Sequence, residues 1–140
     1  MMDRKNVQVI LFVKEASIQI LLLKRMKDKG GFWQPISGGV ETGEELVDAV
    51  KREVYEETGI SEIKQILDLK YSFHFEAEKD GQIMQMTDHC FGMEIKEKVC
   101  IKLSDEHEKY IWCSVEEAKK HITWEFSIAA IQRLVEAIGH

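Results

Sequence analysis

The chain has 140 residues, of which 44% are hydrophobic and 31% are charged, and its formal net charge is −6. This length and composition suit a single domain covering residues 1–140, with a core enclosed by two or three layers of secondary structure. No apolar run approaches the roughly 20 residues that cross a bilayer. No signal-peptide core follows the charged amino terminus. We therefore expect a cytoplasmic protein with no membrane partner.

The acidic charge is concentrated in one segment of the chain. Residues 38–60 contain seven acidic and two basic residues, which gives this segment a net charge of −5. Carboxylates at that density repel one another unless they face water or a cation. They also argue against a nucleic-acid-binding surface, which would be basic. The segment is therefore the first candidate for a functional site, and no nucleic-acid partner is expected.

Two short apolar segments near the start of the chain predict central β-strands. Residues 7–13 and 18–24 are rich in β-branched and aliphatic side chains on both faces, as in strands that are covered on both sides. The loop that follows leads into Gly38-Gly39. A helix is expected next, because Thr42 with Glu45 has the pattern of a capping box and Thr58-Gly59 is a typical helix end.

The second half of the chain predicts a hairpin, a short strand and further helix. Alternating side chains at residues 71–77 lead to Asp80-Gly81, a typical two-residue hairpin turn, and a return strand is expected at about residues 83–95. A last strand at residues 109–113 precedes a second capping box, Ser114 with Glu117, and an amphipathic final helix. This mixture of strands and helices predicts an α/β or α+β sandwich.

Three glutamates share one face of the predicted early helix. Glu53, Glu56 and Glu57 stand at positions i, i+3 and i+4, which are neighbours on adjacent turns. Each like-charge pair at this spacing destabilises a helix by roughly 0.2–0.5 kcal/mol, so a bound cation would explain the arrangement. Oxygen ligands on a rigid element suit Mg²⁺ or Mn²⁺, although a solvated acidic face is the alternative interpretation. Arg52 is placed to orient Glu56 or Glu44.

The full register of the acidic segment carries more information than the glutamate spacing. From Gly38 to Ile60 it matches Gly-x5-Glu-x7-Arg-Glu-U-x-Glu-Glu-x-Gly-U, with U an aliphatic residue, at every fixed position. This is the Nudix box, and the chain resembles the Nudix (MutT-like) hydrolases. Residues 21–25, 32–35 and 106–112 are similar to the branch that includes dihydroneopterin triphosphate pyrophosphatases and some dATP-hydrolysing members. The resemblance implies an α/β/α sandwich with a mixed central sheet, a box helix and a C-terminal helix.

The resemblance also implies a set of site residues. Four groups would bind Mg²⁺ or Mn²⁺: the side chains of Glu53, Glu56 and Glu57 and the backbone carbonyl of Ser37. Glu106 stands where this branch places a glutamate outside the box that binds metal or acts as a base, and a solvated acid is the alternative interpretation. Glu53 and Glu106 are both candidates for the general base, and Arg52 would support the catalytic carboxylates.

Residues outside the box are candidates for contact with the substrate. Lys24 and Arg25 end a predicted strand and are candidates to contact phosphate oxygens; basic residues at a strand end can also be merely solvated. An aromatic wall for a base or pterin could come from four residues, although core packing is the alternative for each: Trp33, Phe75, Trp124 and Phe126.

The leading hypothesis is a metal-dependent pyrophosphohydrolase that acts on a small nucleotide-like molecule, a nucleoside triphosphate or pterin triphosphate, and releases pyrophosphate. A second hypothesis is hydrolysis of dinucleoside polyphosphates or nucleotide sugars, which would use the same box with a different substrate pocket. A third is a catalytically silent module that senses a nucleotide, although no glutamate of the box is missing. The sequence sets no oligomeric state.

Overall fold

The structure, a computed structural model, describes residues 2–139. A 3₁₀ turn at Lys27–Lys29 lies between the second and third strands. Ten strands and α-helices follow one another within this range: β1 (Met2–Lys14), β2 (Ile18–Arg25), β3 (Trp33–Gln34), β4 (Ile36–Gly39), α1 (Leu46–Thr58), β5 (Gln65–Lys79), β6 (Gln82–Glu94), β7 (His107–Ser114), α2 (Val115–His121) and α3 (Glu125–Ala137). Across residues 2–139, no helix is long and apolar enough to cross a membrane.

The strands form one mixed sheet with β1 at its centre. β2 is antiparallel to β1 on one side, β6 is parallel to β1 on the other, and β5 pairs antiparallel with β6 at the edge. The shorter strands complete the sheet, because β3 and β7 pair with β2 and β4 pairs with β1. Leu11 and Leu22 are fully buried, which confirms that the two early apolar segments are central strands.

Helices cover both faces of the sheet because β1 and β2 project apolar side chains to both sides. On one face, Leu11 belongs to the same buried cluster as Val54 of α1. On the other face, Phe12 belongs to the same buried cluster as Leu134 of α3. The expected α/β/α sandwich with a mixed sheet, a box helix and a C-terminal helix is confirmed, and the structure places the two helices on opposite faces of the sheet.

The expected capping box at the start of α1 was wrong. The helix begins at Leu46, and its N-cap residue Glu45 makes no side-chain capping hydrogen bond. Thr42 lies in the preceding turn, where the backbone N–H of Glu41 donates to the Glu44 carboxylate at 2.9 Å. The backbone N–H of Glu44 donates back to the Glu41 carbonyl at 2.9 Å. Glu44 therefore closes this turn itself, which delays the helix by one turn relative to the capping pattern.

Three other local signals in the sequence are confirmed. Asp80 and Gly81 have φ values of 53° and 78°, as a two-residue type I′ hairpin turn requires. Ser114 Oγ accepts from the Glu117 N–H at 3.1 Å, and the Glu117 carboxylate accepts from the Ser114 N–H at 2.9 Å. Gly59 ends α1 with a left-handed φ of 79°. Each signal depends only on neighbouring residues, which explains why the sequence reveals it.

The pairing of β4 with β1 and the loop between β6 and β7 determine which residues lie next to the glutamates of α1. β4 pairs with β1 so that Gly38 lies opposite Val7 and Ser37 lies opposite Gln8. The loop between β6 and β7 then returns to the end of α1, where the N–H of Lys102 donates to a helix-end carbonyl at 3.0 Å. Residues 104–107 are thereby placed next to the glutamates of α1.

Candidate active site

The glutamates of α1 face a cleft of about 900 Å³. Its first half is formed by α1, by the backbone of β4 and by the loop ahead of β7. Its second half is formed by side chains of β1, β5 and β6. The residues of the first half that the sequence analysis named are Ser37, Gly38, Gly39, Glu53, Glu56, Glu57 and Glu106. The cleft therefore brings together the whole metal-ligand set that the resemblance implied.

Arg52 holds the carboxylates of α1 in place. Its guanidinium pairs with Glu44 through two hydrogen bonds, Nε to Oε2 at 2.8 Å and Nη2 to Oε1 at 2.9 Å. Nη1 donates to Glu53 at 2.7 Å and to Glu56 at 3.0 Å. Nη2 also donates to the backbone carbonyl of Gly39 at 2.7 Å. The two partners that the sequence analysis offered as alternatives, Glu44 and Glu56, are thus both contacted by one side chain.

These contacts alter the ionisation of the groups involved. The hydrogen bond from Arg52 lowers the pKa of Glu44 to about 2, and the bond to Glu44 raises the pKa of Arg52. Burial raises the pKa of Glu53, against the opposing effect of Arg52. Glu44 and Arg52 therefore stay charged at neutral pH, and their pairing fixes the guanidinium at the start of the carboxylate face.

Glu57 has different partners, which lie in the loop ahead of β7 and at the start of that strand. Ser104 Oγ donates to Glu57 Oε2 at 2.7 Å, and His107 Nδ1 lies 2.9 Å from the same oxygen. Burial would raise the pKa of Glu57, but the hydrogen bonds from His107 and Ser104 lower it. Neither Ser104 nor His107 is predicted as a site residue from the sequence. Their contacts join positions nearly fifty residues apart, and no local pattern encodes them.

Glycines allow β4 to pass close to the charged side chains. A Cβ atom at Gly38 would overlap the Glu53 carboxylate, and one at Gly39 would overlap the Arg4 guanidinium. A side chain at either position would therefore require the charged end of Glu53 or of Arg4 to move. Ser37, the next residue back along β4, lines the same cleft as the carboxylates.

The donor groups in this half of the cleft fit a hard divalent cation. Arg52 Nη1 lies within hydrogen-bonding distance of both Glu53 and Glu56, so these two carboxylates are close enough to share one positive charge. Carboxylate and carbonyl oxygens are the ligands that Mg²⁺ and Mn²⁺ prefer. Within residues 2–139, no group of three or more His, Cys, Asp or Glu side chains is already arranged to hold a metal ion. The carboxylates of α1 would therefore have to rearrange around an ion.

Glu106 lies at the cleft, and its neighbour Glu108 does not. The side chain of Glu106 is exposed. Its backbone is fixed at both ends, because its carbonyl accepts from the Met26 N–H at 3.0 Å and its own N–H lies 3.4 Å from Ser104 Oγ. The same serine binds Glu57, so Glu106 and the end of α1 are held by one short loop.

Of the six candidates for substrate contact, two line the cleft, and Trp124 and Phe126 are not among them. Arg25 and Phe75 line the cleft, whereas Lys24 and Trp33 do not. Lys24 and Trp33 face each other in the pairing of β2 with β3, and successive side chains of a strand point to opposite faces. The Trp33 ring packs edge-on against His121 at 5.6 Å, beside the buried cluster under α3. The structure thus favours the core interpretation of Trp33.

Sequence reasoning missed most of the second half of the cleft. Its side chains come from β1, β5 and β6 and include Arg4, Asn6, Lys79, Met86 and Asp88. None of them belongs to a motif. The parallel pairing of β1 with β6 sets Asn6 opposite Asp88, which are 82 residues apart in sequence. Only the three-dimensional pairing of the strands reveals that these residues share one surface.

Comparisons with known proteins agree with this architecture. The chain is 28% identical over 130 residues to the dihydroneopterin triphosphate diphosphatase of Haemophilus influenzae, with 84% of this chain and 80% of the relative covered. It is 33% identical over 121 residues to the asymmetrical bis(5′-nucleosyl)-tetraphosphatase of Rattus norvegicus, with 86% and 80% covered. The dihydroneopterin triphosphate pyrophosphohydrolase of E. coli has the same fold, with a TM-score of 0.82 at 23% identity over 98% of this chain and 99% of that one.

Other relatives match over a smaller part of their length. The chain spans 29% of an octanoyltransferase of Myxococcus xanthus and 45% of an RNA pyrophosphohydrolase of Bartonella henselae, to which it is 28% and 36% identical. The names of these relatives cover several activities, so similarity alone does not select a substrate. The NUDIX domain model, by contrast, matches residues 2–134. Because one family model accounts for nearly the whole chain, this protein belongs to the NUDIX domain family.

Proposed function

We propose that the chain is a hydrolase that uses Mg²⁺ or Mn²⁺ to cleave a diphosphate linkage in a nucleoside triphosphate or pterin triphosphate, with release of pyrophosphate. The observation that carries this proposal is the cleft in which Glu53, Glu56 and Glu57 lie together with several basic side chains. Relatives named for dihydroneopterin triphosphate and for CTP support the substrate class.

Charge is distributed along the cleft as a polyphosphate substrate requires. The carboxylates lie on α1, Arg25 and Lys29 lie near the loop after β2, and Arg4 and Lys79 lie on the opposite wall. A divalent ion bound by the carboxylates would neutralise charge on the phosphates and polarise the bond that breaks. The basic side chains would hold phosphate oxygens and thereby orient the chain of phosphates within the cleft.

A water molecule must lose a proton as it attacks phosphorus, and two carboxylates are candidates to accept that proton. Glu53 is constrained on one side by Arg52 and on the other by the backbone at Gly38. Glu106 is exposed at the cleft and has a fixed backbone. We favour Glu106 as the group that accepts the proton or completes the ligand set, because its side chain has room to approach the substrate.

A second candidate function is cleavage of a dinucleoside polyphosphate, which the tetraphosphatase relative favours. The deciding experiment is a panel of nucleoside triphosphates, dihydroneopterin triphosphate, a dinucleoside tetraphosphate and nucleotide sugars, each with Mg²⁺ and with Mn²⁺. Chromatography of the products separates the hypotheses, because a triphosphate yields a monophosphate and pyrophosphate whereas a dinucleoside tetraphosphate yields two nucleotides. Binding without any hydrolysis would instead support the silent sensing module.

Removal of one carboxylate charge should impair metal-dependent turnover. We expect Glu57→Gln to lower kcat by roughly 10²-fold or more, because an amide oxygen is a much weaker ligand for a hard cation than a carboxylate. Glu97→Gln is the control, since Glu97 is exposed and lies outside the cleft. Initial rates across a Mg²⁺ titration measure the effect, and wild-type rates for Glu57→Gln would show that the metal assignment is wrong.

Replacement of Arg52 should disturb the geometry of the carboxylates without removing a ligand. Arg52→Ala loses every hydrogen bond to Glu44, Glu53 and Glu56, so we expect lower kcat that saturating Mg²⁺ restores only in part. Arg52→Lys keeps the charge but loses the two-point contact with Glu44, and an intermediate rate is expected. Complete recovery of Arg52→Ala at high Mg²⁺ would mean that Arg52 affects metal affinity alone.

Glu106 and Glu108 form a matched pair for testing a specific role. Both belong to one acidic run, but only Glu106 lines the cleft. We expect Glu106→Gln to lower kcat on the order of 10²-fold, the usual effect of a positioned acid or base, and Glu108→Gln to remain near wild type. Equal and small effects of the two variants would reduce Glu106 to a solvated surface acid.

His107 is expected to position Glu57 and to leave the chemical step itself unchanged. Asn places an N–H donor close to the position of the histidine Nδ1, whereas Leu fills a similar volume without a donor. We therefore expect His107→Leu to raise the half-saturating Mg²⁺ concentration by about 10-fold, and His107→Asn to stay near wild type. Loss of Mg²⁺ affinity in both variants to the same extent would indicate a packing role instead.

A further inference from the structure

A buried carboxylate forms the floor of the second half of the cleft. Asp88 lines the cleft but is only 5% exposed. Asn6 Nδ2 donates to Asp88 Oδ1 at 2.8 Å. The Asn6 amide therefore fixes one oxygen of this carboxylate. Burial raises the pKa of Asp88, and the nearby amides of Asn6 and Gln8 oppose that rise. A hydrogen-bond donor on a ligand would relieve part of the cost of burying this group.

Flat aromatic rings lie beside this carboxylate. Phe73 pairs with Asp88 across β5 and β6, and the next position on the same face is Phe75, which lines the cleft. The Phe126 ring of α3 stacks on Phe73 at 4.2 Å with an interplanar angle of 18°. It lies 5.9 Å from Phe75 at 13°. Nearly parallel rings beside a polar floor provide a surface on which a planar heterocycle can stack.

We propose that this half of the cleft binds the heterocycle of the substrate and that Asp88 selects heterocycles that carry an exocyclic amine. The inference rests on the proposed function and names the determinant of its substrate class. An ionised carboxylate only accepts hydrogen bonds, and an exocyclic amine only donates them. A carbonyl oxygen in the place of the amine would face the lone pairs of Asp88 and would be rejected.

Asn6 sets the direction of that contact. Its amide nitrogen is engaged by Asp88 Oδ1, so the second oxygen of the carboxylate is the one left to meet the ligand. Met86 lies against the same amide, with Nδ2 to Sδ at 3.6 Å, which places an apolar side chain beside the buried polar pair. A site that hydrogen-bonds one substrate group in such surroundings discriminates strongly against the analogue that lacks it.

Substrate pairs that differ at one ring substituent test the proposal. ATP and ITP differ by an amine in place of a carbonyl, CTP and UTP differ in the same way, and GTP has an amine that ITP lacks. We expect wild type to favour the amine-bearing member of at least one pair by about 10- to 100-fold in kcat/KM. In Asp88→Asn that ratio should fall to about twofold or reverse, because an amide offers a donor as well as an acceptor.

Asp80→Asn is the matched control, because Asp80 lines the same cleft and its substitution removes the same charge. The kcat/KM ratio of Asp80→Asn within each substrate pair should equal that of wild type. Thermal unfolding and the half-saturating Mg²⁺ concentration of Asp88→Asn should also remain near wild type, which separates a change in selectivity from a loss of fold or of metal binding.

Either of two results would overturn the inference. The wild-type protein could have equal kcat/KM for both members of every pair, or Asp88→Asn could leave the wild-type kcat/KM ratios unchanged. Failure of the proposed function would look different, since no triphosphate would then be hydrolysed. In that case the dissociation constants of the same nucleotide pairs, measured by calorimetry for wild type and Asp88→Asn, test the role of Asp88 independently of turnover. Equal dissociation constants within every pair, or no binding of any of them, would overturn it as well.

Discussion

The contacts of one guanidinium connect the elements on which the candidate site depends. Arg52 reaches the turn before α1 through Glu44, strand β4 through the Gly39 carbonyl, and its own helix through Glu53 and Glu56. A planar, fully charged group with five donors can bind several acceptors at once in a fixed geometry. Loop, strand and helix are therefore held in one arrangement by a single side chain.

The two halves of the cleft differ in how far the sequence predicts them. The part formed by β4 and α1 is encoded in contiguous residues, so the spacing of Glu53, Glu56 and Glu57 and the glycines of β4 identify it directly. The contacts of Glu57 with the loop ahead of β7 join distant residues and are not predicted in this way. The turns and helix ends that depend on neighbouring residues are equally accessible, apart from the start of α1, where the pairing of Glu44 with Arg52 replaces the capping pattern. The half that contains Asn6 and Asp88 depends on strand pairing alone, and no local signal predicts it.

In the proposed function, the same division separates the half of the cleft that handles the metal and the phosphates from the half that selects the substrate. The carboxylates of α1 and the loop that holds Glu57 suit the handling of a cation and of phosphates, which many nucleotide-like molecules share. The aromatic and polar surface around Asp88 suits the part of the molecule that differs between them. Relatives with various named activities are consistent with one reaction centre that is combined with different selecting surfaces.

The parallel register of β1 and β6 has a consequence for folding fidelity. A slip of β6 by one residue would turn Asp88 towards the opposite face of the sheet and present Thr87 or His89 to the cleft. This pairing joins segments about eighty residues apart, and such contacts incur a large loss of chain entropy when they form. A molecule with β1, β4 and α1 assembled but β6 undocked would have the acidic face of α1 and lack the surface around Asp88. If the proposed role of Asp88 holds, substrate discrimination therefore depends more than the reaction centre does on completion of the native topology.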